Sequence, residues 1–271
     1  MKNNVVKCIA LGAAAVLVTG ALSACAMDIS PLFPEYENAE LYSAGNFTYQ
    51  AADVSEVEID WIAGEVNIVQ SAEETLSVSE KRVAKTADKQ VHYYLDGAVL
   101  RIKFCASDFK GSINEAEKKL TVEIPSGIYL EINSVSSPVD LGSAELSGVA
   151  VTSTSGSVLA DTLTAATASI ETVSGNVEVG MLCVNGVSVE TVSGHIEASI
   201  PRAITADFES VSGNVKLRLA EGLGTNLRLS VVSGKFNTEL AYTQRGSSFS
   251  FYGGGSNNLH VDLVSGNLTV S

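Results

Sequence analysis

Basic residues are scarce: 17 Lys and Arg stand against 31 Asp and Glu in 271 residues, a formal net charge of −14. Nucleic-acid binding needs clustered Lys and Arg to neutralise phosphates, and no such cluster is present, so a nucleic-acid partner is excluded. The same deficit excludes polybasic adhesion to anionic lipid. Histidine is sparse too: His92, His195 and His260 lie far apart and in no metal-ligand spacing, so neither a histidine-bound metal nor a cofactor is expected. Tyr252-Gly253-Gly254-Gly255-Ser256 lacks the Lys-Ser/Thr ending and the following helix of a phosphate loop, and reads as a flexible insertion. With 45% hydrophobic and only 18% charged residues, disorder is excluded as well.

What is present is a phrase that returns: Thr172-Val173-Ser174-Gly175-Asn176-Val177, Thr191-Val192-Ser193-Gly194-His195-Ile196, Ser210-Val211-Ser212-Gly213-Asn214-Val215. Its glycines, with Gly156, are spaced 19 residues apart three times over. A fixed period of this size marks a solenoid, in which one coil cannot bury its apolar face alone. Positions seven and five before the glycine, and two and four after it, are mostly apolar, for instance Val187, Val189, Ile196 and Ala198 around Gly194. Such alternation turns one face of each strand inward. Ser137 stands in the glycine's place in an earlier segment, Gly64 heads another, and Gly234 and Gly266 follow after gaps of 21 and 32 residues. The longer gaps predict insertions near 222–225 and 242–258. The expectation is an all-β chain of about 19-residue coils.

Within the phrase, the glycine is expected to supply positive φ for a sharp turn. Three places before it, Ser153, Thr172, Thr191 and Ser210 share the inward parity, and their hydroxyls are expected to bond from coil to coil. Glu171, Glu190 and Glu209 face outward, stacked about 4.8 Å apart if coils pair in register; they form either a solvated acidic stripe or a weak calcium site. Two places before the glycine run Ile62, Val135, Val173, Val192, Val211, Val232 and Val264. Either a bulge tucks these side chains inside or they form an exposed apolar contact stripe, of which Val173, Val192, Val211 and Val232 are the candidates.

The N-terminus carries an address. Lys2 and Lys7 precede an apolar run from Ile9 to Leu22, too short to span a bilayer and charged in the order of an export signal. Leu22-Ser23-Ala24-Cys25 resembles the lipobox of bacterial lipoproteins, which implies acylation of Cys25; the alternative is an ordinary signal cut near Ala26. The expected organisation is a lipoprotein signal peptide (1–24), a Pro-containing tether (25–44), an irregular N-terminal β part (45–127) and the regular repeats (128–271). Within the irregular part, a hairpin is expected across Asp96-Gly97. Cys105 and Cys183 either pair in an oxidising exterior or serve as small core residues.

Val122-Glu123-Ile124-Pro125, the recurrent Thr/Ser-Val-Ser-Gly phrases and the closing Leu259-His260-Val261-Asp262-Leu263-Val264-Ser265-Gly266 resemble the bacterial putative-adhesin family, a domain of unknown function. The resemblance spans about residues 45–271 and implies a right-handed single-stranded β-helix (β-solenoid) at the cell envelope. The expected function is a non-enzymatic lipoprotein, held to the membrane through Cys25, that presents a binding surface to a protein or glycan. Two alternatives stand beside it. One is a stress sensor or spacer that forms homo-oligomers by end-to-end stacking, since the last coil reaches Ser271 with no visible cap. The other is an enzyme acting on envelope polysaccharide, although paired carboxylates among cationic substrate contacts are missing.

Overall fold

The computed structural model describes residues 35–81, 86–110 and 118–271, and its regular structure is β-strand apart from three 3₁₀ turns of three residues each. The two longest strands, Val158–Thr172 and Val177–Thr191, run parallel with Val158 opposite Val177 and Thr172 opposite Thr191. The pairing offset therefore equals the sequence period. Stacking in this register places every inward residue above its counterpart, so Val187, Val189, Ile196 and Ala198 are buried in a core that runs unbroken from Val54 to Val270. Strands before and after residue 127 share that core.

The central coils have three sides. Segments preceding the glycine form one sheet, with Glu56–Trp61, Tyr129–Ser134, Gly148–Ser153 and the later halves of the long strands in series. Segments following it form a second, from Val139–Asp140 to Val215–Leu219. Ser143–Glu145 on Thr162–Thr164, and these on Met181–Cys183, close the third side.

Spatial order departs from sequence order at both ends. The last coil does not end the stack: Asn257–Ser265 lies between Thr205–Ser212 and Thr225–Ser233, parallel to both. Asn257 pins this order. Fully buried, it accepts from the Ile204 N–H (3.1 Å) and donates its amide to Thr225 Oγ1 (2.8 Å), so any other placement would bury an unpaired amide. The expected insertion near 242–258 holds a hairpin, Tyr242–Arg245 with Ser248–Phe251, laid antiparallel on Thr225–Ser233, and residues 252–256 form the turn that leads from it into Asn257–Ser265. At the opposite end Thr75–Glu80 runs antiparallel to Lys118–Ile124, and the expected hairpin His92–Asp96 with Val99–Lys103 is present, its two-residue loop being Gly97-Ala98. The expectation of an uncapped last coil is thus overturned: both ends carry antiparallel strands. Aromatic rings gather at the same places. Phe236, Tyr242, Phe249 and Phe251 pack with centroids 4.6–6.0 Å apart at one end, and Phe47 stacks on Tyr93 at 3.6 Å at the other. Bulky flat side chains close a core that the middle coils fill with Val, Ile, Leu and Ala together with Phe208.

The repeated phrase can now be read position by position. Gly156, Gly175, Gly194 and Gly213 do not adopt positive φ, contrary to expectation. A Cβ on each would overlap the carbonyl oxygen of the residue one coil below: Ser137, Gly156, Gly175 and Gly194 in turn. Close approach, and not turning, demands glycine here. The hydroxyls three places earlier act within their own turn: Thr172 Oγ1 and Thr191 Oγ1 accept from the Gly175 and Gly194 N–H at 2.9 Å, and Ser153 Oγ does the same for Gly156. Bonds from coil to coil come from the outward serines, Ser155, Ser174 and Ser193, which donate to the carbonyls of Val135, Thr154 and Val173 at 3.2 Å.

The residue after the glycine completes a second ladder between coils. Asn176 Oδ1 accepts from the His195 N–H (2.9 Å), His195 Nδ1 from the Asn214 N–H (3.0 Å), and Asn214 Oδ1 from the Asn267 N–H (2.9 Å). His195 fits an asparagine row because its Nδ1 accepts, which places the ring proton on Nε2. His195→Ala should destabilise the fold by about 1 kcal/mol, and His195→Asn should restore wild-type stability. Denaturant midpoints of the two variants check this; equal loss in both would refute the acceptor role.

Candidate functional site

Thr172, Ser174, Gly175 and Asn176 each have a structural task, and their equivalents share it except Ser210, whose buried hydroxyl has no hydrogen-bond partner among the described residues; the valine side chain of the phrase has none. Its side chain points outward, with no bulge to draw it in. Along the stack the row reads Ile62, Val135, Thr154, Val173, Val192, Val211, Val264, Val232. Ile62, Val135, Val173 and Val192 are half-buried, Val211 and Val264 are 38% and 45% exposed, and Val232 is 81% exposed. Thr154 is the one polar interruption. The structure thus brings Val173, Val192, Val211 and Val232 onto one edge of the molecule, flanked by the serine ladder.

On the sheet before this edge, Glu171, Glu190 and Glu209 stack in register and continue into Asp262. Among the described residues no group of three or more His, Cys, Asp or Glu is arranged to hold a metal ion. Basic side chains meet the stripe at its ends. His260 lies between two carboxylates, Nδ1 at 3.2 Å from Asp207 and Nε2 at 3.3 Å from Asp262, while Lys103 pairs with Asp60 and Arg101 with Glu58. Lys216 and Arg218 belong to the sheet after the glycine, where both pair with Glu197. That sheet carries an open groove of about 340 Å³ lined by Asp140, Asp161, Glu178, Glu197 and Arg218.

A cluster that the sequence reading missed lies inside the N-terminal part. The Lys118 ammonium sits 3.3 Å from Glu80, and both side chains are 1% exposed. Lys118 also donates to the carbonyls of Lys89 (2.7 Å) and Phe104, and stands 4.4 Å and 5.2 Å from the ring centroids of Phe104 and Trp61. Glu80 accepts from the Val91 N–H at 2.7 Å. Parity was the available signal: Lys118 shares the inward face with Leu120 and Val122, and Glu80 shares it with Leu76 and Val78. Burial lowers the Lys118 pKa, with Glu80 pulling the other way, and burial lowers that of His92. Burial pushes the neighbouring Cys105 thiol up to about 12, which leaves it a small core residue and no nucleophile. Cys105 and Cys183 are both free. Cys25 lies outside the described residues, and among those described no helix is long and apolar enough to cross a membrane.

The Toastrack DUF4097 family model matches residues 54–180 and 129–271. No curated protein matches the chain. Among solved structures, the chain is similar to a putative adhesin from Bacteroides fragilis (15% identity, TM-score 0.47, covering 83% of this chain and 95% of that one). It is also similar to a putative cell adhesion protein from Clostridium sporogenes (13%, 0.34, 84% and 98%) and a putative lipid binding protein from Parabacteroides distasonis (12%, 0.33, 84% and 97%). At these identities and scores none of the three transfers a function.

Proposed function

The chain belongs to the Toastrack DUF4097 family, and from that premise we propose that it is a non-enzymatic envelope lipoprotein whose right-handed solenoid of 19-residue coils displays a contact edge to a partner protein. In this reading residues 1–24 direct export, Cys25 carries the lipid, 25–44 set the distance from the membrane, and the coils from 45 onward form the rigid display. The carrying observation is the outward valine row. A position occupied by valine coil after coil, in contact with solvent and without a structural task, is explained by a partner that buries it. Apolar side chains spaced by single coils suit the side chains of a protein better than the hydroxyls of a glycan. An acidic flank, Glu171 to Asp262, would select a basic rim on that partner.

The test is capture from envelope fractions by the chain from Met27 onward, beside Val173→Lys/Val192→Lys/Val211→Lys. All three sites face solvent, so circular dichroism should be unchanged, while retention of a bound protein should fall at least about tenfold. A partner held equally by both forms would remove the edge from consideration, and capture of glycan alone would replace the protein reading. The anchor is tested in the same cells: wild type should sediment with membranes and Cys25→Ser should not. Membrane retention of Cys25→Ser would end the lipoprotein reading.

A further inference from the structure

The antiparallel strands at the two ends cover the core but leave sheet edges open. Among the described residues, Tyr242–Arg245 pairs only with Ser248–Phe251, and Phe236–Thr238 only with Leu268–Val270; together they form the tip of the stack. At the base, Phe47–Gln50 pairs only with Thr75–Glu80, and Ser43–Ala44 only with His92–Asp96. Open edges are templates for another chain.

Direction and charge together identify that chain. On the sheet before the glycine, two successive antiparallel steps at the tip bring Tyr242–Arg245 back to the direction of the coils, and two at the base do the same for Ser43–Ala44. On the other sheet Phe236–Thr238 runs with the coils, as does Phe47–Gln50 after its own two reversals. All four edge strands therefore point the same way. A second copy placed above the first in the same orientation would meet it in parallel pairing on both sheets, which is how the coils within one chain meet.

The ends also differ in charge. Residues 222–256 contain Arg228, Lys235 and Arg245 against the single acid Glu239, in a chain whose net charge is −14. Among the described residues the base exposes Glu35, Glu37, Glu40, Asp53, Glu73, Glu74 and Asp88, with Lys81 among them. Finally, the tip leaves Val232 81% and Tyr242 45% exposed, surface that a covering coil would bury.

We propose that the tip of one molecule docks on the base of a second copy, so that the protein assembles head to tail through continued parallel strand pairing between ends of opposite charge. The contact is heterologous, and its repetition gives an open fibre. Of the valine edge it uses only Val232, which the triple lysine variant leaves in place, so the two readings fail separately.

Sedimentation velocity of the purified full chain in detergent tests it with two charge-reversed forms, Lys235→Glu/Arg245→Glu at the tip and Glu37→Lys/Glu40→Lys/Glu73→Lys/Glu74→Lys at the base. All six side chains are exposed, and circular dichroism checks that the forms fold. Wild type should associate with rising concentration and dissociate at about 1 M salt, where the screening length falls to roughly 3 Å. Each variant alone should associate at least tenfold more weakly, because its two ends then carry charge of one sign. Mixing the two should restore association, since each reversed end meets an opposite one. A wild type that stays monomeric throughout overturns the proposal, as does a mixture that behaves like its separate parts. Persistent dimers of the base variant alone would mean tip-to-tip pairing and overturn it too.

Discussion

Gly194→Ala should destabilise the protein by at least about 4 kcal/mol, enough to lower the melting temperature by roughly 10 °C in a domain of this size. The added methyl would overlap the Gly175 carbonyl oxygen, a backbone atom held from both sides. Just before it, Ser193 N–H donates to the Val173 carbonyl at 2.9 Å; just after it, His195 N–H donates to Asn176 Oδ1 at 2.9 Å. The two coils cannot part at residue 194 without stretching these bonds, and the strain would pass to the coils above and below. Gly186→Ala makes the matched control. It lies in the same strand system without positive φ, and a Cβ there meets nothing within 4 Å. Reduced freedom of the unfolded chain should stabilise that variant by about 0.4–1 kcal/mol. Thermal unfolding of the two proteins separates the explanations: comparable behaviour would mean that coil spacing is not set by the glycine row.

That contrast shows where the sequence was legible. Period, register and parity could all be read, because each repeats and because burial of one strand face leaves no freedom in the pairing. The glycine's reason could not: turning and close approach demand the same residue, and only the carbonyl beneath it distinguishes them. The hydroxyls of Ser153, Thr172 and Thr191 carried a similar ambiguity. Inward parity was visible, but whether a hydroxyl bonds within its turn or across coils depends on which N–H lies nearer.

Order along the stack was the largest hidden feature. Every coil presents nearly the same inward face, so apolar pattern alone accepts the coil of Leu268–Val270 in any position. Its place follows from particulars: buried Asn257 reaching both neighbours, and a 32-residue gap long enough for the Tyr242–Arg245 hairpin to carry the chain past one coil and back. The valine row was legible as a row, and the choice between bulge and exposure needed the backbone. Lys118 and Glu80 were legible by parity alone, yet a charge on an inward position in an irregular segment is easily taken for a break in the pattern.

Removing one partner of that pair should have the second large effect. Lys118→Ala should destabilise by about 3–5 kcal/mol, because among the described residues it leaves the buried Glu80 carboxylate with only the Val91 N–H to compensate it, and because the Trp61 and Phe104 rings lose the chain packed between them. Replacing both, as Lys118→Met/Glu80→Leu, should cost little or even stabilise, since desolvating two charges offsets most of their attraction. A third variant fixes the electrostatic origin. In Glu80→Gln the lysine keeps its place without its counter-charge, and burial, which already lowers its pKa in the native state, loses its main opposition. The native state then binds fewer protons than the unfolded chain, whose lysine titrates near about 10.4, so stability rises with pH up to that value. In wild type Glu80 opposes the shift, and the rise should be shallower. Urea titrations at a series of alkaline pH values would show the steeper slope in Glu80→Gln; parallel slopes would mean that the ion pair contributes through packing alone.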